Sequence, residues 1–309
     1  MIGNRTRACY SVAILAWNSR VAAFQSTTSY SFSLHPQGIR CNRLFSSPLI
    51  LEMSTDSAEA TVDVAANLDF VRRQLESTAK ESGRDPTTIR LVAVSKTKPL
   101  DLVKDAYEHG QRVFGENYVQ ELVEKSKTLG EDADNKYSDI EWHFIGSLQS
   151  NKANQLVKSV VPFGKLTVET VSSLKLAKKL NNAMADDTVQ GSVEGSKKLD
   201  VFVQVNTSGE ESKSGVSPTE VAELCQQISQ ECDYLAVRGV MTIGAPGDVG
   251  CLDKLVSCRG EAADALGVSE DLLDLSMGMS GDYEVAIQKG STNVRVGSTI
   301  FGARDYSNK

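Results

Sequence analysis

Ile89-Arg90-Leu91-Val92-Ala93-Val94-Ser95-Lys96 is an apolar run closed by a lysine, and Thr97-Lys98-Pro99 follows it. The run has the length and content of a buried strand, and Pro99 suits the opening of a helix. The same alternation recurs down the chain. Strand-like runs fall at 89–95, 112–115, 140–145, 165–169, 199–205, 234–241, 272–277 and 293–296. Between most of them lie helix-period segments at 99–109, 117–129, 150–158, 170–184, 217–229, 248–265 and 281–289. Strands alternating with helices imply parallel βα units. Eight units in ~250 residues have the size of a (β/α)8 barrel. The expected fold class is therefore α/β, a single TIM barrel. A preceding amphipathic helix over 56–82 is expected to cover its bare face, with N-caps from Ser54-Thr55-Asp56. An open doubly wound sheet is the alternative.

The chain has 309 residues, 40% hydrophobic and 24% charged, as soluble globular proteins do. Its first 51 residues differ from the rest. They hold no Asp or Glu, five arginines and eleven Ser or Thr. An Arg- and Ser-rich, acid-free leader reads as a transit peptide for a mitochondrion or plastid, or else as a disordered tail. The expected division is thus a leader at 1–51 and a barrel at 52–309. Met53 offers an internal start that would give a cytoplasmic form. The net charge is −7 and the leader contributes +5, so the body carries −12. An acidic body argues against nucleic-acid partners. No apolar run reaches the ~18 residues of a membrane helix.

Six cysteines form no C-x-x-C pair, and the body holds only His109 and His143. Neither a zinc site nor a disulfide framework is expected. The polar stretches Gly130–Asp139 and Asp186–Lys198 read as mobile surface loops without a function.

In a barrel, functional groups gather at the carboxyl ends of the strands. Lys96 ends the first strand, where partial desolvation favours a nucleophilic amine. Lys98 competes but lies beside Pro99, pointing to water. Downstream, Gly290-Ser291-Thr292 and Gly297-Ser298-Thr299 flank Arg295. Glycines let backbone amides approach an anion, and hydroxyls add donors. An amine with a phosphate cradle suggests pyridoxal 5'-phosphate (PLP). Arg295 sits among apolar neighbours and needs a partner: a carboxylate, or the pyridine nitrogen of a cofactor. An arginine there would keep that nitrogen unprotonated and weaken the ring as an electron sink. Ser280 or Asp282 caps the helix after the seventh strand, whose N-terminal amides also suit phosphate. His143, in Trp142-His143-Phe144, reads as a hydrogen-bonded core residue.

These residues resemble the PLP homeostasis proteins, a PLP-binding family related to the amino-terminal barrel of alanine racemases. The resemblance runs from about Leu68 to Lys309. It rests on Val92-Ala93-Val94-Ser95-Lys96-Thr97-Lys98-Pro99, Phe114-Gly115-Glu116-Asn117-Tyr118-Val119-Gln120-Glu121 and Trp142-His143-Phe144-Ile145-Gly146-Ser147-Leu148-Gln149-Ser150-Asn151-Lys152. Asn206-Thr207-Ser208-Gly209-Glu210-Glu211-Ser212-Lys213-Ser214-Gly215, Leu275-Ser276-Met277-Gly278-Met279-Ser280 and Ile300-Phe301-Gly302-Ala303-Arg304-Asp305-Tyr306 complete it. The resemblance implies PLP as a Schiff base on Lys96, with Asn117 near the cofactor and Arg295 facing the pyridine nitrogen. It implies phosphate held around Ser276, Ser280, Gly297, Ser298 and Thr299.

The resemblance also implies a carrier that buffers, stores and delivers PLP without established catalysis. Apo PLP-dependent enzymes would be transient partners, the barrel is expected to be monomeric, and no metal is expected. The alternative is a small amino-acid racemase. Residues 56–309 are used by the barrel, leaving no length for the second domain that supplies a racemase's opposing base. Tyr118, Tyr283 or Tyr306 would have to serve instead. Lys213 is a candidate second amine for releasing PLP.

Overall fold

A computed structural model describes residues 62–192, 198–210, 213–245 and 247–303. They belong to one compact unit spanning Ala58–Lys309. Eight parallel strands close into a barrel in chain order. They are β1 (Arg90–Val94), β2 (Val113–Glu116), β3 (Glu141–Phe144) and β4 (Lys165–Val171), then β5 (Leu199–Gln204), β6 (Leu235–Met241), β7 (Asp274–Met279) and β8 (Asn293–Val296). β1 pairs with both β2 and β8, so no sheet edge remains. The helices are α1 (Val64–Glu81), α2 (Leu100–Glu108), α3 (Val119–Gly130), α4 (Ala153–Val160), α5 (Leu174–Met184), α6 (Asp187–Ser192), α7 (Val221–Glu231), α8 (Val249–Leu266), α9 (Tyr283–Gln288) and α10 (Ser298–Phe301). The chain is a (β/α)8 barrel, and the open-sheet alternative is excluded.

Strand parity divides the interior in two. Ala93, Phe114, Phe144, Val168 and Val201 point outward and pack with Leu122, Leu156 and Leu180 of the helices. Val92, Val94, His143, Glu169, Ser276, Asn293 and Arg295, all buried, occupy the alternate positions that face the lumen.

Three local expectations are corrected. First, α1 begins at Val64, capped by Asp63, whose side chain accepts from the Ala66 amide. Ser54-Thr55-Asp56 lie outside the described residues, as does the leader. Second, the 186–198 stretch contains a helix. Asp186 accepts from the Thr188 amide at 3.1 Å, and the buried Val189 anchors that helix. A single apolar side chain gives no periodicity to read. Third, Gly290-Ser291-Thr292 precede β8, so they lie at the opposite end of the barrel from Lys96. The Ser291 hydroxyl is bound to the Met277 carbonyl at 2.7 Å, and that of Thr292 to Asp274 at 2.8 Å.

Candidate functional site

Lys96 follows β1 by two residues and shares the parity of the lumen-facing Val92 and Val94. The segment around it is fixed from both sides. The Ser95 amide continues the ladder to the Gly115 carbonyl at 3.0 Å. The Ser95 hydroxyl donates to Glu116 Oε1 at 2.7 Å. Thr97 has φ 59°, a left-handed conformation unusual for a β-branched residue. Its amide donates to Glu121 Oε1 at 2.7 Å. Lys125, buried on α3, ties these together. Its ammonium donates to the Ser95 carbonyl at 2.9 Å, Glu116 at 2.8 Å and Glu121 at 2.7 Å. All three ammonium hydrogens are used. Lys98, expected to point to water, instead donates to the Ala303 carbonyl at 2.7 Å.

Asn117 follows β2. Val94 pairs with Gly115, so the same register carried two residues further sets Asn117 beside Lys96. Gly146 holds it there: a Cβ at 146 would lie 2.0 Å from the Asn117 carbonyl oxygen. On the other side Ala93 pairs with Val296, which brings Gly297, Ser298 and Thr299 next to the Lys96 segment. The approach is close at Gly297, where a Cβ would lie 3.2 Å from Val94. Its amide donates to Ser280 Oγ at 3.2 Å, joining the ends of β7 and β8. Ser280 therefore serves this junction, while Asp282 Oδ1 accepts from the Met279 amide at 2.6 Å. Ser298 and Thr299 open α10.

Ser276 and Arg295 sit deeper, inside the lumen. Arg295 Nη1 donates to Ser276 Oγ at 2.5 Å, and Nη2 to the Thr242 carbonyl at 2.7 Å. The nearest counter-charge is Glu169 on β4, with Oε2 3.9 Å from Nη1. Ser276 thus contacts Arg295 and Glu169. Sequence reasoning missed Glu169 and Lys125, and it set Glu116 among the strand-end groups without its partner Lys125. The available signal for Glu169 was a carboxylate inside the otherwise uncharged run Leu166-Thr167-Val168-Glu169-Thr170-Val171, facing an arginine that required a partner.

Burial raises the Glu169 carboxyl. Hydrogen bonds from His143 and Ser276, with the charges of His143 and Arg295, outweigh it and hold the group below the usual range. Burial lowers the Arg295 guanidinium, opposed by Glu169 and Asp282. Burial pushes Glu116 up to about 7, against the pull of Lys125.

At the carboxyl end of the strands, Asn117 Oδ1 and Gln204 Oε1 are buried without a hydrogen-bond partner among the described residues. A buried acceptor left unpaired is costly, so such atoms mark where a ligand donor fits. An amine on Lys96, a guanidinium in the lumen and the Gly297–Thr299 turn form a donor set that fits an aldehyde-bearing aromatic phosphate.

Residues 66–305 match the family model described as alanine racemase, N-terminal domain. The pyridoxal phosphate homeostasis protein of Homo sapiens is 45% identical over 264 residues, covering 82% of this chain and 91% of the human one. That of Vibrio alginolyticus is 41% identical over 249 residues, covering 79% and 99%. The structure of PipY from Synechococcus elongatus with PLP bound is 29% identical, with a TM-score of 0.59, covering 77% of this chain and all of that one. Alanine racemase from Corynebacterium glutamicum shares the fold at 17% identity and a TM-score of 0.51, with 62% of its length covered.

Proposed function

Because the chain belongs to the pyridoxal phosphate homeostasis proteins, built on the alanine racemase N-terminal domain, we propose that it binds PLP and serves its buffering, storage and delivery. Lys96 would hold the cofactor through its amine. When bound, PLP supplies a reversible aldehyde and a conjugated ring. The protein supplies the rest. Asn117 would accept a hydrogen bond from the cofactor, and Arg295 would meet its ring nitrogen. Ser280, Gly297, Ser298 and Thr299 hold phosphate, while Ser276 fixes Arg295 from below. The observation that supports this reading is the pairing of Val94 with Gly115 and of Ala93 with Val296, which sets the ends of β2 and β8, followed by Asn117 and Gly297, on either side of the end of β1.

Release would need a second amine to take the cofactor from Lys96. Lys213 is a candidate, held by the Gly244 carbonyl at 2.7 Å and Glu210 at 2.8 Å. Apo-enzymes receive PLP transiently from the monomer. The composition of residues 1–51 supports import into a mitochondrion or plastid, and Met53 supports a cytoplasmic form. Among the described residues no helix is long and apolar enough to cross a membrane.

Two features favour a carrier over a racemase. A charged guanidinium at the ring nitrogen leaves a weak electron sink. Of the tyrosines a racemase would need, Tyr283 is buried in the outer core and Tyr118 is 52% exposed. Tyr306 lies outside the described residues. A chiral assay of L-amino acids with PLP-loaded protein is expected to yield no D-isomer. Steady D-isomer production lost in Lys96→Ala would establish the racemase instead. Transfer of PLP to an apo-enzyme tests release. An unchanged rate in Lys213→Ala would remove that lysine from the scheme.

A further inference from the structure

The barrel lumen carries a charged network where such barrels are usually filled by branched apolar side chains. Glu169 is its hub and is fully buried. Oε1 accepts from His143 Nδ1 at 2.5 Å and Asn293 Nδ2 at 3.0 Å. Oε2 accepts from Ser276 Oγ at 2.5 Å. Ser276 Oγ in turn accepts from Arg295 Nη1 at 2.5 Å and Asn293 Nδ2 at 2.9 Å. The serine hydroxyl is thereby used once as donor and twice as acceptor, which fixes the hydrogen-bond direction through it. His143 also lines a cavity of about 290 Å³ at the amino-terminal mouth of the barrel. The network therefore spans from that mouth to Arg295.

A packed apolar lumen would be as stable as buried charges, often more so. Stability alone does not account for the network, but aiming one guanidinium does. Two N–H groups of Arg295 are fixed by Ser276 and the Thr242 carbonyl, which sets the plane of the group. Glu169 supplies the opposing charge at 3.9 Å.

We infer that Glu169, held by His143, is a positioning residue that orients Arg295 through Ser276 and neutralises its field at the cofactor ring. This rests on Arg295 facing the ring of PLP bound at Lys96. Removing the anion leaves the guanidinium's positive field uncompensated. A protonated Schiff base is a cation, so its proton is then lost at lower pH.

The charged groups around Glu169 are few. His143 comes from β3, Arg295 from β8, and Asp282 acts on Arg295 from the start of α9. The strand neighbours by register carry no charge: Val92 opposite Arg295, Gly115 and Thr167 beside His143, and Asn293 beside Ser276. At the mouth, Arg90 pairs with Asp274 at 3.1 Å, Lys165 with Glu141 at 3.2 Å and Arg238 with Asp200 at 2.7 Å. Lys96 itself lies at the far end.

The test is a pH titration of the visible absorbance of PLP-loaded wild type and Glu169→Gln, with thermal melting measured alongside. The variant is expected to keep a borohydride-reducible band whose midpoint falls, by up to about one pH unit for the loss of one screened charge. An unchanged or raised midpoint in a folded, loaded variant overturns the inference alone. A wild type with no Lys96-dependent band overturns the underlying reading and this inference with it. If Glu169→Gln does not fold, Ser276→Ala retains both charges and removes only the link. Its induced circular dichroism at the cofactor band is expected to fall, because the ring loses its fixed partner. Full wild-type amplitude there contradicts the proposal.

Discussion

The backbone on either side of Lys96 is held by Glu116, Glu121 and Lys125. A left-handed backbone at Thr97 costs about 1–2 kcal/mol, and it is offset by the bond from its amide to Glu121. Strain of this kind collects at functional positions. Glu116 belongs to the same clamp, and its titration is observable. Its carboxyl moves from an ordinary 4.5 to about 7, chiefly through burial. The unfolded chain releases this proton near 4.5, while the folded chain keeps it until about 7. The contribution is present below the lower value and lost as pH rises through the higher one. Wild type should therefore lose stability relative to Glu116→Gln across that window. Urea midpoints from about pH 4 to about pH 8 measure it. A constant difference between the two proteins would remove the perturbed carboxyl. Lys96 and Arg295 were legible in the sequence because each is a charge ending or interrupting an apolar strand. The pairing of Glu116 with Lys125 was not, since a contact between a strand end and a helix leaves no spacing pattern.

The elements were legible where side chains repeat. All eight strands and the seven intervening helices fall where alternation places them, within a few residues at each end. The 186–198 stretch failed that reading, because α6 is anchored by Val189 alone. The split of Gly290–Thr292 from Gly297–Thr299 was missed for a different reason. A four-residue strand separates two similar turns by roughly 13 Å, so they serve opposite ends of the barrel. At the top, close approach between strand ends sets the site. In Gly146→Ala a methyl would meet the Asn117 carbonyl at 2.0 Å, and backbone on both sides must shift. We expect a stability loss of about 1–3 kcal/mol and weaker PLP binding from the displaced Asn117. Equilibrium dialysis with denaturation measures both. Wild-type binding in the alanine variant would show that this contact does not set Asn117.

Across the whole molecule, closure makes the site. The segment carrying Lys96 and Asn117 lies far in sequence from the one carrying Arg295 and Gly297, and β8 returns to pair with β1. The measurement that bears most directly on the account is peptide mapping of purified protein incubated with PLP and reduced with borohydride. A single phosphopyridoxyl adduct is predicted on the peptide carrying Lys96, absent from Lys96→Ala. An adduct on another lysine, or none in a folded protein, would contradict it.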